Sequence, residues 1–371
     1  MINTYLSYQL VTRDLNKSLA RVESEPIVKR DTEYYLENIG KVKTAEEFVN
    51  DYRLFNYAMK AHGLEDMAYA KAFMLKALKE GVSEPDAFAN KLTDKRYAEF
   101  VRSFNFAAFG ENATTFNLAN HGTTDRYLTR ATPDGGVPGE AYVKEAQYYA
   151  ANIGSITSID QFLDNDRMLT FALQAFGLEA SLSDKKLIRQ MLEGGTSDPK
   201  SPANSHTNEN WAQFAKSFDF AGLGESATTY NLALRPAVDK FVRQQLEQNK
   251  GQENEGVRLA LYFERTAGTI TNAYQLLGDR ALATVIRTYL GLPDAIAQMD
   301  IDKQAAMLES RINFEDFRDP EKVSKMMERF ATMWEVNNPT QSAQSSIVGL
   351  FQPMEFGISV NTLMAIAAIK R

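Results

Sequence analysis

The stretch Thr44-Ala45-Glu46-Glu47-Phe48, running on to Gly63-Leu64, decides the fold, because its start and stop signals return twice at intervals of 114 residues. Ser158-Ile159-Asp160-Gln161 runs on to Gly177-Leu178, and Asn272-Ala273-Tyr274-Gln275 runs on to Gly291-Leu292. Each opening sets a side chain that accepts from free first-turn amides three places before Glu or Gln, as in a capping box. Each closing sets glycine where a helix ends in the left-handed conformation. Apolar residues at Phe48, Tyr52, Phe55 and Met59 step by four, three and four. That spacing predicts one amphipathic helix from the cap to Gly63, of about 18 residues and roughly 27 Å.

Outward from this core the frame holds without a net insertion between the first two thirds of the chain. Tyr34, Tyr35, Ile39, Gly40 and Arg53 return as Tyr148, Tyr149, Ile153, Gly154 and Arg167. Similarity peaks between Tyr97–Ala119 and Trp211–Ala233, where 14 of 23 positions are identical. The third copy is more divergent. Tyr127, Tyr148 and Phe162 map to Phe241, Tyr262 and Leu276, but Asp319-Pro320 falls about seven residues late and the Thr-Thr-aromatic-Asn-Leu element is missing. A period this long exceeds that of solenoid repeats, so each copy reads as a small helical module.

The fold class expected is all-α: tandem helical modules of period 114, in three copies with the third divergent. The boundaries are residues 1–122, 123–236 and 237–338, followed by an apolar C-terminal tail, 339–371. Further helices are predicted over residues 64–79, 94–104, 140–151 and 255–266, with entering helices at 5–22, 124–132 and 237–249. The Pro- and Gly-rich runs at 133–139 and 194–199 read as surface loops, and residues 113–118 as a short extended segment.

Composition narrows the function classes. A net charge of -7 argues against nucleic acid as a partner, since phosphate binding rests on clustered Lys and Arg. With no cysteine, disulfides, thiolate metal sites and Cys nucleophiles are excluded. The opening residues lack the basic and apolar regions of a cleaved signal peptide, and no run reaches the roughly 20 apolar residues of a transmembrane helix.

Few motifs suggest chemistry. His62, His121 and His206 do not recur in the repeat, so no metal site is assigned, and His62 reads as packing at a helix end. Glu46 and Glu47 sit in a first turn that favours negative charge. Arg53 and Arg167, each near carboxylates, read as partners in intrahelical or inter-unit ion pairs rather than as an anion site. The Gly110-Glu111-x-Ala113-Thr114-Thr115 element and its copy at Gly224 lack the spacing of a nucleotide-binding loop. They read instead as a helix stop, a Thr pair making local backbone bonds, and an aromatic, Phe116 or Tyr230, returning to the core. No catalytic or cofactor-binding residue is assigned. Candidate partner-binding residues are the apolar positions of the chain ends: Leu6, Leu10, Ile347, Leu350, Phe351, Ile358, Leu363 and Ile366.

The run Ser83-Glu84-Pro85-Asp86-Ala87-Phe88-Ala89-Asn90-Lys91-Leu92-Thr93-Asp94-Lys95-Arg96-Tyr97, followed by Phe104-Asn105-Phe106, resembles the Ala-Asn-Arg-Leu-x-Asp-x-Arg-Tyr signature of the alphaproteobacterial DUF1217 family. Tyr230-Asn231 and residues 256–265, leading to Gly291-Leu292-Pro293, are similar to it too. The resemblance covers about residues 4–350, and the second copy departs from it at Ser205-His206-Thr207-Asn208. It implies an all-helical protein without established catalytic residues, often encoded among flagellar genes. The expected function is therefore a non-enzymatic structural or assembly component of the bacterial flagellum, working through protein-protein contacts and exported without a cleaved signal peptide. The alternatives are a cytoplasmic helical regulator or export chaperone, and an enzyme or ligand-binding protein with a pocket between helical units.

Overall fold

The computed structural model describes residues 3–132 and 136–338, and every regular element among them is helical. The candidate residues Ile347, Leu350, Phe351, Ile358, Leu363 and Ile366 lie outside the described residues. The chain divides into two compact units: a central one, Arg21–Gln244, and a terminal one made of the residues up to Ala20 together with those from Gln245 onward. The first copy from Arg21 onward and the whole of the second therefore share one unit.

The expected helix from Thr44 to Gly63 is two helices, Ala45–Asn50 and Tyr52–Ala61. Asp51 breaks it by turning to extended backbone and accepting from the amides of Arg53 and Leu54, so a second cap stands seven residues after Thr44. The break rotates the second helix. Phe48, Phe55 and Met59 are buried, whereas Tyr52, which a continuous helix would place among them, is 69% exposed. Asn165 and Asp279 repeat this second cap in the other copies, again at the 114-residue interval. The capping-box return bond also differs from expectation. Glu47, Gln161 and Gln275 each accept from the residue before the cap, namely Lys43, Thr157 and Thr271. The glycine stops behave as read: Gly63, Gly177 and Gly291 have φ of 66°, 68° and 65°, a range that penalises any residue with a Cβ. Behind each, the Leu amide reaches the carbonyl five residues back, as in a Schellman motif.

Other elements shift for similar local reasons. The first entering helix is broken into Thr4–Thr12 and Leu15–Glu23, with Asp14 accepting from the Lys17 amide. Residues 64–79 form a short 3-10 turn, Glu65–Met67, and a helix, Lys71–Glu80. Asp319-Pro320 caps and opens the long helix Pro320–Asn337, whereas the Glu84-Pro85 and Asp198-Pro199 pairs lie in turns, so the three are not equivalent.

In the central unit each copy builds the same aromatic core. Phe48 lies 4.7 Å from Phe104, and Phe162 lies 4.7 Å from Phe218. His62 closes the first helix pair as a buried cap residue with its ring edge-on to Phe100, consistent with a packing role. Arg53 and Arg167 are ion-paired, but neither within their own helix nor between units. They reach back to equivalent positions on the preceding helix of the same copy, Arg53 to Asp31 at 3.5 Å and Arg167 to Glu145 with both bonds at 2.8 Å. Each guanidinium also covers a tyrosine face, Tyr34 or Tyr148. The Arg167 bonds hold the Glu145 carboxyl below its usual range.

The terminal unit gathers helices Thr4–Thr12, Glu255–Thr266, Arg280–Leu290 and Pro320–Asn337. Asn254 donates to Thr4, and the Thr4 amide donates to the Glu335 carboxylate. A Cβ on Gly256 would stand 2.5 Å from Trp334, so only glycine allows that approach. Glu247 is buried and held by Arg265 at 2.8 and 3.0 Å.

Candidate functional site between the first two repeats

The most similar stretch of the two copies is where they exchange contacts. The Tyr35 hydroxyl of the first copy donates to the Ala233 carbonyl of the second at 2.7 Å, and the Tyr149 hydroxyl of the second donates to the Ala119 carbonyl of the first at 2.8 Å. Tyr149 is Tyr35 displaced by one period, and Ala233 is Ala119 displaced likewise. The pairing is reciprocal. Burial drives both phenols well above their ordinary pKa, so both stay protonated donors.

Two further aromatic stacks are equivalent by position, Phe241 and Tyr57 corresponding to Tyr127 and Phe171. The helix Thr123–Ala131 lays Tyr127 on Phe171 at 4.0 Å, within the second copy. Its counterpart is the first half of Arg235–Glu253, and that lays Phe241 on Tyr57 of the first copy at 3.8 Å. The entering helix expected for the third copy thus completes the first copy as well. Arg235 reinforces the closure by pairing with Glu23 at 2.9 Å.

Between these closures run the segments that leave each copy, residues 113–118 and 227–232. Asn117 donates to the Tyr230 carbonyl at 2.7 Å, and Asn231 donates to the Thr114 carbonyl at 2.9 Å. The Thr pair is only half local: Thr115 bonds Asn112 nearby, but Thr114 reaches the Val42 carbonyl, and Thr228 reaches that of Ile156. Gly110, with φ of 51°, stops its helix as read. Phe116 does not return to the core. It stacks on Phe109 at 3.7 Å and faces a pocket.

That pocket has a volume of about 490 Å³, within the range of small-ligand and side-chain sites, and both copies line it with equivalent residues. Phe109 answers Leu223, Phe116 answers Tyr230, and Leu118 answers Leu232. Leu118 and Leu232 are 45% and 41% exposed, so the lining presents apolar side chains to solvent. Arg102 and Lys216, again equivalent and both exposed, are the charged residues in its lining. His121 sits beside it, accepting the Asn117 amide on Nδ1 at 3.2 Å and stacking near Phe116. Burial lowers its pKa.

Of the candidate residues named from sequence, Leu6 and Leu10 are described. They are 45% and 52% exposed on the helix Thr4–Thr12, whose other side buries Thr4, Tyr8 and Val11. They belong to the terminal unit and have no part in the pocket. From sequence, Phe116 and Tyr230 read as core and Arg102, Leu118 and their partners carry no assignment, because caps and core explain the peak of identity equally well. The signal that marks them is that two exposed leucines and two exposed cations recur where only buried positions need to.

The fold and this junction define an all-helical tandem-repeat protein in which two modules pair within one chain. The profile of a family described as "Protein of unknown function (DUF1217)" matches residues 61–174 and 175–323, and the chain belongs to that family. The first match is one full period long. The chain is also similar to a structural-genomics crystal structure of an Agrobacterium tumefaciens protein, with 37% identity, 91% of this chain and 94% of the other covered, and a TM-score of 0.54. No curated protein matches. Among the described residues no helix is long and apolar enough to cross a membrane.

Proposed function

We propose that this chain is a non-enzymatic structural or assembly component of the bacterial flagellum that works by holding other proteins. The observation that carries the reading is the pocket between the first two repeats, with exposed Leu118 and Leu232 in its lining. Exposed apolar side chains gathered in a concave lining support the reading of a contact site. Leu6 and Leu10 add a second exposed apolar face, on the terminal unit. The flagellar context comes from the family resemblance. An enzyme or ligand-binding protein would also use a pocket between repeats, but this lining of aromatic rings, leucines and backbone-bonded amides suits gripping a chain rather than making bonds.

The test is a deletion strain complemented with the wild-type chain or with Leu118→Asp/Leu232→Asp, scored for swimming and for the protein in sheared flagellar fractions. The expected result is loss of motility on deletion, rescue by wild type alone, and wild-type protein in the flagellar fraction. Protein confined to the cytoplasm, with motility still lost, selects the export-chaperone reading. A deletion strain that swims normally overturns both.

A further inference from the structure

We infer that the pocket between the repeats takes a protein segment in which apolar side chains are flanked by carboxylates; this rests on the reading of the chain as a protein-binding component. The charge pattern commits the occupant. The charged groups in the lining are both cations, Arg102 and Lys216, in a chain whose net charge is -7. Neither has an ion pair among the described residues, whereas Arg53, Arg167, Arg189 and Arg235 all do. They occupy equivalent positions in the two copies, so each copy contributes one positive group to the lining. Phe116 and Tyr230 add an aromatic ring from each copy to the same lining, and such rings accept aliphatic or aromatic side chains.

Length argues for a segment rather than a small molecule. Leu118 and Leu232 line the cavity and are still 45% and 41% exposed, and an extended segment running over both leucines would cover that apolar area. The side-chain amides of Asn117 and Asn231 are already given to the Tyr230 and Thr114 carbonyls, which ties the two copies together beside the pocket, and the charged groups left in the lining are the two cations. A carboxylate on each of Arg102 and Lys216 makes charge-assisted bonds, with Arg favouring bidentate geometry.

The experiment pans a random twelve-residue peptide library displayed on phage against the full chain, and repeats it with Arg102→Glu/Lys216→Glu. Both positions are exposed, and an unchanged circular dichroism spectrum and melt confirm that the variant folds. The wild-type chain is expected to enrich peptides with Leu, Ile or Phe flanked by Asp or Glu. A synthetic copy of the top sequence should bind the double variant at least about tenfold more weakly. The variant should instead enrich peptides with Lys or Arg flanks. Failure to enrich any pattern, or apolar peptides whose binding survives the charge reversal, overturns the inference. Either failure is distinct from failure of the flagellar role, which is read from swimming and fractionation with no peptide involved.

Discussion

The first two copies and the third start from the same local instructions and reach different ends. All three have the paired caps, Thr44 with Asp51, Ser158 with Asn165 and Asn272 with Asp279, and all three close on a left-handed glycine. Only the first two have the Thr-Thr-aromatic-Asn-Leu element, and only they exchange contacts through it. One position makes the contrast concrete. Tyr35 and Tyr149 donate across the pair, whereas the equivalent residue of the third copy is Phe263, which has no hydroxyl and sits edge-on to Phe317. Caps decide that a helix begins; what the copy packs against is decided by the segment that leaves it.

The comparison breaks most visibly in the core. Phe162→Ala is expected to cost about 3–5 kcal/mol and Leu276→Ala about 2–5 kcal/mol, since both side chains are fully buried. In calorimetry the first should lower the melting of the whole central unit, both copies together, and the second should leave that transition in place. Separate melting of the first and second copies would contradict the pairing. Next in size, Tyr35→Phe and Tyr149→Phe should each cost about 1–3 kcal/mol by stranding a buried carbonyl. The reverse change, Phe263→Tyr, should also cost about 1–3 kcal/mol by burying a hydroxyl among apolar side chains. If Phe263→Tyr is neutral in urea titration, the distinction drawn between paired and unpaired copies is wrong.

The second caps sharpen the comparison from the other side. Asp51→Ala, Asn165→Ala and Asp279→Ala should each cost about 1 kcal/mol through the lost cap, with Asp51 and Asp279 costing more than Asn165 because they also accept from the Tyr34 and Tyr262 hydroxyls. A smaller effect separates the two paired copies by pH. His121 has its pKa lowered by burial, so its stabilising contribution is whole above the unfolded value of about 6.5 and is lost as pH falls toward the folded value. The equivalent of His121 in the second copy is Arg235, which does not titrate there. Melting followed from pH 7.5 to 5 should show this loss in the wild type and a shallower one in His121→Gln.

Much of the architecture was legible because it is written in local chemistry. Helix Glu255–Thr266 has the predicted bounds, and the glycine stops need nothing beyond their own neighbours. The apolar spacing through Asp51 allows one helix or two; the decision lies in an acidic side chain turning back to two amides. The exchange between copies was not legible at all from spacing. Tyr35 and Ala233 are far apart in sequence, and a hydroxyl reaching a backbone carbonyl leaves no mark on the acceptor residue. Nor did the pocket announce itself, since a shared apolar lining and a shared core use the same residue types.

The reciprocal pairing is tested most directly by hydrogen exchange on the full chain carrying Tyr35→Phe. If the first copy is completed by the second, amides of residues 231–241, some 200 positions away, lose protection along with those around residue 35. Faster exchange confined to residues 21–122 would contradict it.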